Sequence, residues 1–448
     1  MEPVQTIYER AVLGANDMFS GLEVNSFLRE FRKVQNRSVS VVKAYQLKRL
    51  KSLLSYAGKS SPYYRELFKE IKFIPEEFQC LADLKKLPIL SRESLLSHSS
   101  SILSETYKTD TLYKGSSSGS TGTPIVFYTD TKAKSAGKAA GLLAWELTPW
   151  KFGMKGLHIW GHPETVIGQW NKLSSRLKAR IYRHHKFAAH NFTDPGRFQE
   201  LYVLCKKQKY SYLDGYTMAI YMFAKFLSDH SLKVPSVKFV LTTGENLQGY
   251  QRDVIESVIG PVYDLYGCSE INGIANECSE CGQYHTIDPH VFVEFSEPIN
   301  DDGDCKLIIT DLDNYAFPLI RYENGDLGKP GNSQGCSVPF GSMKDISGRV
   351  TDLIVLENGG ILSVPGFFAS TVFKHAPGLK QYQIVRDKID HLIIKLVIDS
   401  TFNEEQNRFI KRSVGDYLDG KIRWDIDIVN QIPVSKTGKT KLVVDLTK

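Results

Sequence analysis

A run of small and hydroxylated residues between positions 116 and 124 is the segment most suited to chemistry. It reads Ser-Ser-Ser-Gly-Ser-Thr-Gly-Thr-Pro, and an apolar, strand-like run from Ile125 to Tyr128 follows it directly. Glycine lets the backbone approach an anion closely, and the N–H groups and hydroxyls of such a loop can donate to phosphate oxygens. A serine–glycine linker has a similar composition and is the alternative interpretation. The strand that follows favours a phosphate-binding loop. The candidate contacts are Ser117, Ser118, Gly119, Ser120, Thr121 and Gly122.

Gly438-Lys439-Thr440 matches the end of a Walker-type phosphate loop, but the rest of that motif is missing. Its first glycine would fall at Pro433, and only positions 441–448 follow Thr440. A Walker loop is followed by a helix whose N-terminus holds the phosphates, and no room remains for it. The sequence therefore excludes a Walker site.

A second constellation combines cysteines with a histidine. Cys278 and Cys281 enclose two residues, His285 follows shortly after, and Cys336 lies further along the chain. A Cys-x2-Cys spacing can bring two thiolates to one tetrahedral Zn²⁺. We predict a structural zinc site formed by Cys278, Cys281, His285 and Cys336, with Cys268 as the alternative to His285. Free thiols on a solvated loop and a catalytic thiol are the other interpretations. The remaining cysteines are predicted to be buried packing residues: Cys80, Cys205 and Cys305.

The elements that must position these residues fall into three stretches. Residues 1–105 are predicted to be a mainly helical lead-in, with apolar residues at helical spacing from Val41 to Ala57. From about 110 to 345, β-like runs such as Val262–Leu265 alternate with amphipathic helices such as Thr217–Phe226. This alternation is typical of α/β layering with a substantially parallel sheet.

The order of predicted strands and helices changes after Gly348, where a smaller α+β unit is predicted. Asn358-Gly359 should form the turn of a hairpin between residues 353–356 and 361–364, because Asn-Gly adopts positive φ readily. A helix near residues 367–374, strands at 382–385 and 391–398, a helix over 403–418 stopped by Gly420, and a strand over 422–428 follow. We therefore predict two domains, 1–347 and 348–448.

Bulk composition excludes several classes of function. The chain is 42% hydrophobic and 24% charged, with a net charge of +6, which is typical of soluble globular proteins. No basic stripe interleaved with aromatics suggests nucleic-acid binding. The longest apolar run, Leu392 to Ile398, is far short of the ~20 residues of a membrane span. The first residues do not resemble a secretory signal, and seven thinly spread cysteines favour a reducing compartment. We expect a cytoplasmic protein without membrane insertion.

Six segments, taken in order, resemble motifs of the adenylate-forming superfamily of acyl-CoA synthetases, amino-acid adenylation domains and luciferases. The match covers roughly residues 110–448. The segments are the phosphate loop at 117–124, Thr243-Gly244-Glu245, Tyr266-Gly267-Cys268-Ser269-Glu270, the Gly-Asp segment at 321–328, Gly348-Arg349 with Asp352, and Gly438-Lys439. The short chain, the serine run and the cysteine cluster are similar to the phenylacetate–CoA ligase-like branch, including relatives in capsular-polysaccharide pathways.

The resemblance implies a role for each motif. Glu270 would position Mg²⁺ on the phosphates of ATP, and Lys439 would supply positive charge at the reacting centre from a mobile C-terminal lid. Asp326 would accept hydrogen bonds from the ribose hydroxyls, with Arg349 close by, and Tyr266 would stack on adenine. The other expected nucleotide contacts are Gly244, Glu245, Gly267 and Ser269.

The resemblance also implies an acid pocket, with Tyr216 and His162 as candidate substrate residues. The aromatic residues between Tyr212 and Phe223 would suit an aromatic or medium apolar acid, with core packing as the alternative. His158 is a further candidate for the pocket, whereas His184 and its charged neighbours are predicted to form a solvated turn.

The expected reaction is ATP-dependent formation of acyl-AMP with release of pyrophosphate, followed by acyl transfer to CoA. The alternative acceptors are an amine, a sugar hydroxyl or a carrier thiol. A non-catalytic nucleotide-binding protein on the same fold is the rival from another class, and retention of Glu270 and Lys439 is unfavourable to it. A nucleic-acid-binding zinc module would need a basic surface that the sequence lacks.

Overall fold

The computed structural model describes most of the chain. It describes residues 3–116, 125–160, 179–188, 195–300, 302–349, 354–356, 361–362, 368, 372, 375–376, 378–418, 420, 422–433 and 441–447. The lead-in is helical, and the predicted helix Val41–Ala57 lies inside a longer one. The helices of this part are Pro3–Ser20, Val24–Gln35, Val39–Ser60, Pro62–Glu70 and Arg92–Ile102. The later helices are Thr131–Glu146, Pro195–Gln208, Thr217–Asp229, Gly249–Val258 and Glu404–Leu418.

The described residues contain nineteen strands, numbered in chain order. They are β1 Tyr113–Ser116, β2 Val126–Thr129, β3 Gly156–Ile159, β4 His184–Phe187, β5 Tyr212–Tyr216, β6 Phe239–Thr243, β7 Val262–Tyr266, β8 Ala275–Glu277, β9 Tyr284–Thr286, β10 Val291–Pro298, β11 Cys305–Asp311, β12 Tyr322–Pro330, β13 Ser342–Arg349, β14 Ile354–Val355, β15 Ile361–Leu362, β16 Leu379–Lys388, β17 His391–Ile398, β18 Arg423–Ile428 and β19 Val443–Asp445.

The chain divides into two compact units. The first comprises Met1–Met154, Ile181–Arg183 and Tyr263–Ile346, and the second comprises Lys155–Arg180, His184–Val262 and Ser347–Lys448. The predicted division into domains 1–347 and 348–448 stays a prediction.

The strands of the first unit run in the order β10-β11-β12-β13-β9-β8-β7. The pairs β10/β11, β11/β12, β13/β9, β8/β9 and β7/β8 are antiparallel. A core that includes Leu54, Phe78 and Phe317 lies between the lead-in helices and these strands. Gly273, with φ +68, packs against the helix Thr131–Glu146 so closely that a Cβ would lie 2.7 Å from the amide nitrogen of Gly141. Only glycine fits this contact.

The second unit contains the parallel strands that the sequence predicted. Its order is β6-β5-β3-β4, and β3/β4, β3/β5 and β5/β6 are all parallel. The helices Pro195–Gln208 and Thr217–Asp229 contribute Leu201, Phe223 and other apolar residues to its core. Parallel strands with helical connections are the α/β layering expected from the alternating pattern.

The C-terminal part of the second unit forms a smaller sheet in the order β18-β17-β16-β19. β14 and β15 pair antiparallel as the predicted hairpin requires, whereas its Asn358-Gly359 turn lies outside the described residues. The helix Glu404–Leu418 and β18 confirm the predicted elements, and Gly420 has φ +65 beyond the helix end. The predicted helix near 367–374 falls mostly outside the described residues.

Two smaller expectations were wrong. Cys80 is exposed, whereas Cys205 and Cys305 are buried as predicted. His184 and His185 are not a solvated turn, because they begin β4 and are both partly buried. The turn ends one residue earlier, at Arg183, whose φ is +53.

Among the described residues, no helix combines the length and the apolar character needed to cross a membrane.

Candidate active site

The end of β7 and the loop after it carry four of the predicted nucleotide residues. Tyr266 is buried at the end of the strand. The loop is closed by two backbone hydrogen bonds, from Cys268 N–H to the Ile271 carbonyl at 3.0 Å and from Ile274 N–H to the Tyr266 carbonyl at 3.1 Å. This turn holds Glu270 in a buried position. The four residues are Tyr266, Gly267, Ser269 and Glu270.

Asp326 lies beside Tyr266 in a buried hydrogen-bond network. The Tyr266 hydroxyl donates to Asp326 Oδ2 at 2.9 Å, and Asn324 Nδ2 donates to the same oxygen at 2.7 Å. Asn324 Nδ2 also lies 2.8 Å from the Tyr266 hydroxyl, and its Oδ1 accepts from the Asp326 N–H at 3.0 Å. The network holds the carboxylate in one orientation, because two donors share its Oδ2 and the Asp326 N–H is bonded to Asn324 as well.

The protonation of Tyr266 supports this arrangement. Burial raises the pKa of Tyr266 well above its usual value, and the charge of Asp326 raises it further. The phenol therefore stays protonated and remains a donor to the carboxylate at physiological pH.

Glu270 adds a second carboxylate to this part of the first unit. The Tyr322 hydroxyl lies 3.4 Å from Glu270 Oε1, at the long end of hydrogen-bond distance. Burial raises the pKa of the Cys268 thiol well above its usual value, and the charges of Glu270 and Asp326 raise it further. Both acids thus act on one thiol, which stays protonated and is not a thiolate nucleophile.

Arg321, the first residue of the Gly-Asp segment, is an anchor for β12. Its Nε donates to Glu294 Oε2 at 3.0 Å, and its Nη1 donates to the carbonyls of Leu87 and Lys85. Arg321 itself has φ +52, an uncommon conformation for a residue with a side chain. These buried contacts fix the start of the strand that carries Asp326.

In the second unit, Gly244 and Glu245 follow β6 and contact the start of the helix Thr217–Asp229. Gly244 has φ +85, which glycine adopts without strain. Glu245 Oε2 accepts from the Met218 N–H at 2.9 Å, and the Thr217 hydroxyl donates to the Glu245 carbonyl at 3.0 Å. A carboxylate at a helix N-terminus is favourable because of the helix dipole. Glu245 thus fixes the loop after β6 to the end of β5.

Tyr216 ends β5 and is buried against an aromatic neighbour. Its ring stacks on Trp160, with ring centroids 4.0 Å apart and an angle of 23° between the planes. Burial raises the pKa of Tyr216 to about 12, and the charge of Glu245 contributes. The two rings therefore pack face to face at the carboxyl end of β5.

The cysteine–histidine residues meet at one point of the first unit. Cys278 Sγ lies 3.8 Å from Cys336 Sγ, and His285 Nε2 lies 3.4 Å from Cys281 Sγ and 3.2 Å from Cys336 Sγ. All four candidate ligand atoms lie within 4.8 Å of one another. Cys268 is not part of this group, so His285 takes the fourth position.

Contacts around the cluster hold its two loops together. The Cys278 carbonyl accepts from Gly282 N–H at 2.8 Å, and Gly282 has φ +70, so the Cys-x2-Cys segment forms a tight turn. Glu280 Oε1 accepts from the Ser337 N–H at 2.7 Å. The other ring nitrogen of His285, Nδ1, lies 3.3 Å from the Phe340 carbonyl, which can fix the ring orientation.

Several predicted site residues lie outside the described residues. These are Ser117, Ser118, Gly119, Ser120, Thr121, Gly122, His162 and Lys439. Arg349 ends β13 next to Gly348, whose φ is +119, and Asp352 also lies outside the described part.

Comparison with known proteins agrees with the motifs. The family model of the CapK C-terminal domain matches residues 356–445. Over 415 residues the chain is 25% identical to Protein CapK of Staphylococcus aureus, covering 90% of this chain and 89% of the relative. It is 24% identical over 455 residues to the phenylacetate-coenzyme A ligase of Thermus thermophilus, covering 91% and 97%.

Solved structures show the same fold. A 2-hydroxyisobutyryl-CoA ligase in its postadenylation state, in complex with 2-HIB-AMP, has a TM-score of 0.73 at 16% identity and covers 93% of this chain and 92% of that one. These relatives and structures agree with the resemblance of the sequence to the adenylate-forming superfamily. The thioesterification state of that ligase gives a TM-score of 0.58, covering 92% and 91%.

The sequence analysis did not predict the side-chain partners made by three polar residues, Asn324, Asp214 and His184. Asn324 had a local signal, because positions 324 and 326 of one strand share a face. Asp214 and His184 had none, because the contacts they make lie in other strands.

Proposed function

We propose that this protein uses ATP to convert a carboxylic acid to its acyl-AMP and then transfers the acyl group to CoA. In the first half-reaction a carboxylate oxygen bonds to the α-phosphorus of ATP, the bond from that phosphorus to the bridging oxygen breaks, and pyrophosphate leaves. The buried network of Tyr266, Asn324 and Asp326 is the observation that carries the proposal. A relative named phenylacetate-coenzyme A ligase, matched over nearly all of both chains, supports the same reaction.

Asp326 would hold the ribose of ATP through its carboxylate. Its Oδ2 already accepts from Tyr266 and Asn324, so the orientation of the group is set before the nucleotide binds. A ribose diol offers two O–H donors to a carboxylate acceptor. A preorganised acceptor loses less conformational freedom on binding, which favours affinity.

Tyr266 would face adenine, with Gly244 and Glu245 forming the other predicted contact with the base. Tyr266 packs in the apolar core of the first unit, and its hydroxyl is held by Asp326 and Asn324, so the position of its ring is fixed. Glu245 fixes its own loop through Met218 N–H, so the backbone at Gly244 is held in place for a ligand.

Glu270 is suited to a magnesium ion carried with the phosphates. Mg²⁺ in nucleotide sites is bound by one or two carboxylates together with phosphate oxygens and water. Glu270 is 7% exposed and lies in the same group as Asp326, so one buried carboxylate is available. When bound, the ion would neutralise charge on the phosphates, and Glu270 would hold it in place.

Lys439 is proposed to supply positive charge where the carboxylate meets the α-phosphorus. The phosphate loop, from Ser117 to Gly122, is proposed to donate its N–H groups and hydroxyls to the phosphates. Arg349 and His162 keep their predicted roles, beside the ribose and in the acid pocket. The two-domain division with a mobile C-terminal lid belongs to the same proposal.

The cluster of Cys278, Cys281, His285 and Cys336 is proposed to hold a structural zinc ion. Tetrahedral zinc with Zn–S bonds of about 2.3 Å places two sulfurs ~3.8 Å apart. The Cys278–Cys336 distance is 3.8 Å. The nitrogen–sulfur distances of 3.4 and 3.2 Å are close to those of one coordination sphere. Four ligands leave no open position, so the ion would tie two loops together and take no part in the reaction.

The acyl acceptor is CoA in the first instance. A different acceptor, such as an amine, a sugar hydroxyl or a carrier thiol, is the second candidate. It is kept because the CapK C-terminal domain model matches residues 356–445 and because the match to Protein CapK covers 89% of that protein. An aromatic or medium apolar acid suits the stacked rings of Trp160 and Tyr216. The cysteine pattern supports a cytoplasmic location.

One experiment separates these possibilities. Purified protein is incubated with ATP, Mg²⁺ and a panel of carboxylic acids, and pyrophosphate is measured with and without CoA. We expect pyrophosphate only with a suitable acid, together with an acyl-CoA product when CoA is present. Acyl-AMP that accumulates with CoA present would favour another acceptor. ADP and phosphate as products, or nucleotide binding without turnover for any acid, would contradict adenylation.

A further inference from the structure

A buried carboxylate with two imidazoles lies in the second unit, apart from the nucleotide network. Asp214 lies in the middle of β5 and is 3% exposed. His184 Nε2 of β4 lies 2.6 Å from Asp214 Oδ1, and His158 Nδ1 of β3 contacts Asp214 Oδ2. A carboxylate only accepts hydrogen bonds, so each of these ring nitrogens carries a hydrogen. One acidic side chain thus orients two histidines.

The sheet is built to allow this meeting. β3 lies between β5 and β4, and its Gly156 pairs with both Tyr212 and His184. A Cβ at Gly156 would lie 2.2 Å from Cζ of Tyr212, so the missing side chain makes room for the tyrosine ring. That ring stacks on His184, with centroids 6.0 Å apart. Any larger residue at position 156 would displace the rings.

The cluster continues to the carboxyl end of the strands. The ring of His158 stacks on Trp160 at 5.1 Å with an angle of 14°, and Trp160 stacks on Tyr216. Tyr216 is two positions beyond Asp214 on β5 and therefore on the same face. In parallel α/β sheets, ligands bind outside the carboxyl ends of the strands. Glu245 of the proposed nucleotide loop reaches this edge as well.

The charges of the cluster favour an acceptor of hydrogen bonds as its ligand. Burial alone would raise the pKa of Asp214, but His184 and His158 hold it well below its usual range. Asp214 is therefore ionised and accepts from both imidazoles. An imidazole whose Nδ1–H bonds to a carboxylate has a second donor, Nε2–H, in its protonated form. The face of Trp160 attracts a cationic ring. With Nδ1 engaged by Asp214, the Nε2–H of a protonated His158 points away from the carboxylate.

His158 is also accessible. Its side chain is 19% exposed, and within the described ranges no residue forms a hydrogen bond with its Nε2. The Nε2 donor of His158 is fixed in direction beside an aromatic ring. Such a donor distinguishes ligands by whether they carry an acceptor at the matching position.

We propose that His158 determines the acid specificity of the site, donating from Nε2 to an acceptor oxygen on the acyl portion of the substrate. The preferred acids then carry a hydroxyl, an oxo group or a second carboxylate besides the carboxylate that is activated. Asp214 and His184 are positioning residues that orient His158. This inference rests on the proposed adenylation activity and names the substrate class for it.

The test compares acids in pairs of similar size that differ in the acceptor oxygen. Suitable pairs are propanoate with lactate, butanoate with succinate, and phenylacetate with mandelate. ATP–pyrophosphate exchange gives kcat and KM for each acid. For at least one pair, we expect the wild type to favour the acid with the acceptor by about tenfold or more in kcat/KM, since an unpaired donor in the site penalises the other acid.

Three variants test the assignment to His158. His158→Phe keeps a flat ring on Trp160 but removes the donor, and it should reduce the preference about tenfold while plain acids change by less than about threefold. His158→Gln keeps an N–H donor and should retain part of the preference. Asp214→Asn should raise KM for acceptor-bearing acids more than it changes kcat, because it misplaces the donor and leaves the reacting groups alone.

His185→Gln is the matched control. His185 is the next residue of β4, faces the other side of the strand, and contacts the Tyr210 hydroxyl at 2.9 Å. It should leave the ratio within each pair unchanged. Thermal unfolding of every variant shows whether it is folded. If His158→Phe does not fold, the proposal is tested by the ratio of kcat/KM within each acid pair for the wild type.

Four results would overturn the proposal. They are a wild type that favours the plain acid in every pair, an equal loss for both acids of a pair in His158→Phe, a changed ratio in His185→Gln, and a metal equivalent that is lost in His184→Gln. In the last case the imidazoles would be metal ligands. Absence of exchange with any acid would instead overturn the adenylation activity itself, and this inference with it.

Discussion

Asp326 and Asp214 are both buried carboxylates that accept hydrogen bonds from two side chains, but their donors differ in charge. Asp326 accepts from the tyrosine hydroxyl of Tyr266 and the amide of Asn324, which are neutral. Asp214 accepts from two histidines, and each of these can carry a positive charge. Neutral donors leave the charge of an ionised carboxylate in place, whereas an imidazolium donor would offset it.

The difference indicates which ligand each group can bind. A carboxylate whose charge is retained attracts further donors, such as the hydroxyls of a ribose. A carboxylate that is neutralised by imidazolium leaves N–H donors for an acceptor, such as an oxygen of an acid. On this basis Asp326 would bind the nucleotide, and Asp214 would orient the histidine that selects the acid. Neither aspartate supplies the positive charge that two reacting anions need.

The largest effect is expected for Lys439→Ala, which tests where that charge comes from. If Lys439 stabilises the adenylation transition state, the substitution should reduce acyl-AMP formation by a factor on the order of 10² to 10⁴, the scale of one preorganised electrostatic donor. ATP binding should change much less. The measurement is pyrophosphate exchange beside equilibrium ATP binding. Exchange that survives in Lys439→Ala would mean that the charge comes from another group, and Lys441→Ala serves as the neighbouring control.

Substitution of Asp326 tests the nucleotide half of the comparison. Asp326→Ala should raise the dissociation constant of ATP about 10- to 100-fold, since hydrogen bonds to a charged group are worth roughly 1.5–3 kcal/mol. KM for the acid should change little. Asp214→Asn should show the opposite pattern. Isothermal titration with ATP and exchange kinetics give both constants, and Asp302→Ala removes an exposed carboxylate of the same unit as a control. Equal effects of both substitutions on both ligands would refute the division of roles.

The two carboxylates also show what the sequence could predict. Asp326 was identified from a local Gly-Asp segment, and its partner Asn324 is two positions away. Asp214 lies in the segment from Tyr212 to Phe223 that resembles an acid-pocket wall, but its histidine partners were not predicted. They lie 56 and 30 positions away and meet Asp214 only when three strands pair. A histidine next to Arg183 and Lys186 suggested a solvated turn, and only the pairing of β3 with β4 moves His184 into the sheet.

A similar limit applied to the fold. Helical spacing predicted the helices of the lead-in, and the alternation of strands and helices predicted the parallel part of the second unit. The strand and helix patterns after Gly348 predicted the small C-terminal sheet. The sequence analysis did not predict that the strands of the first unit pair antiparallel. The register of these short strands depends on contacts between residues far apart in the chain. The Cys-x2-Cys spacing indicated two members of the cysteine cluster, since a short turn sets the positions of Cys278 and Cys281. His285 and Cys336 lie beside them in the structure, and the zinc ion stays a prediction.

A smaller effect, on stability alone, is expected at the cysteine cluster. Cys278→Ser should lower the zinc content from about one equivalent and reduce Tm by about 5 °C or more, because the binding free energy of structural zinc contributes to folding. The activity of the folded fraction should change less. Cys80→Ser alters an exposed cysteine outside the cluster and should leave Tm and zinc unchanged. Metal analysis that finds no zinc in reduced wild-type protein would remove this site.

The smallest expected effect concerns a third group, in which one imidazole serves two carboxylates. His290 Nδ1 lies 2.7 Å from Asp313 Oδ2 and 4.0 Å from Asp311 Oδ1, and Arg49 also pairs with Asp313. Burial alone would lower the pKa of His290, but Asp311 and Asp313 outweigh burial and raise it above 6.5. This group has one histidine and two aspartates, whereas the group at Asp214 has two histidines and one aspartate. His290 is therefore expected to be charged in the folded protein.

The raised pKa of His290 leads to a prediction about pH. Its contribution to stability is fully present below about pH 6.5, where the unfolded histidine is also protonated, and it is lost as pH rises through the folded pKa. The urea midpoint of the wild type should therefore fall between pH 6 and pH 9, and His290→Gln should flatten this fall. His98→Gln, which changes an exposed histidine of the same unit, should keep the wild-type slope. An identical slope in His290→Gln and the wild type would mean that the two carboxylates do not hold a charged imidazole. The balance of charges would then not distinguish this group from the one at Asp214.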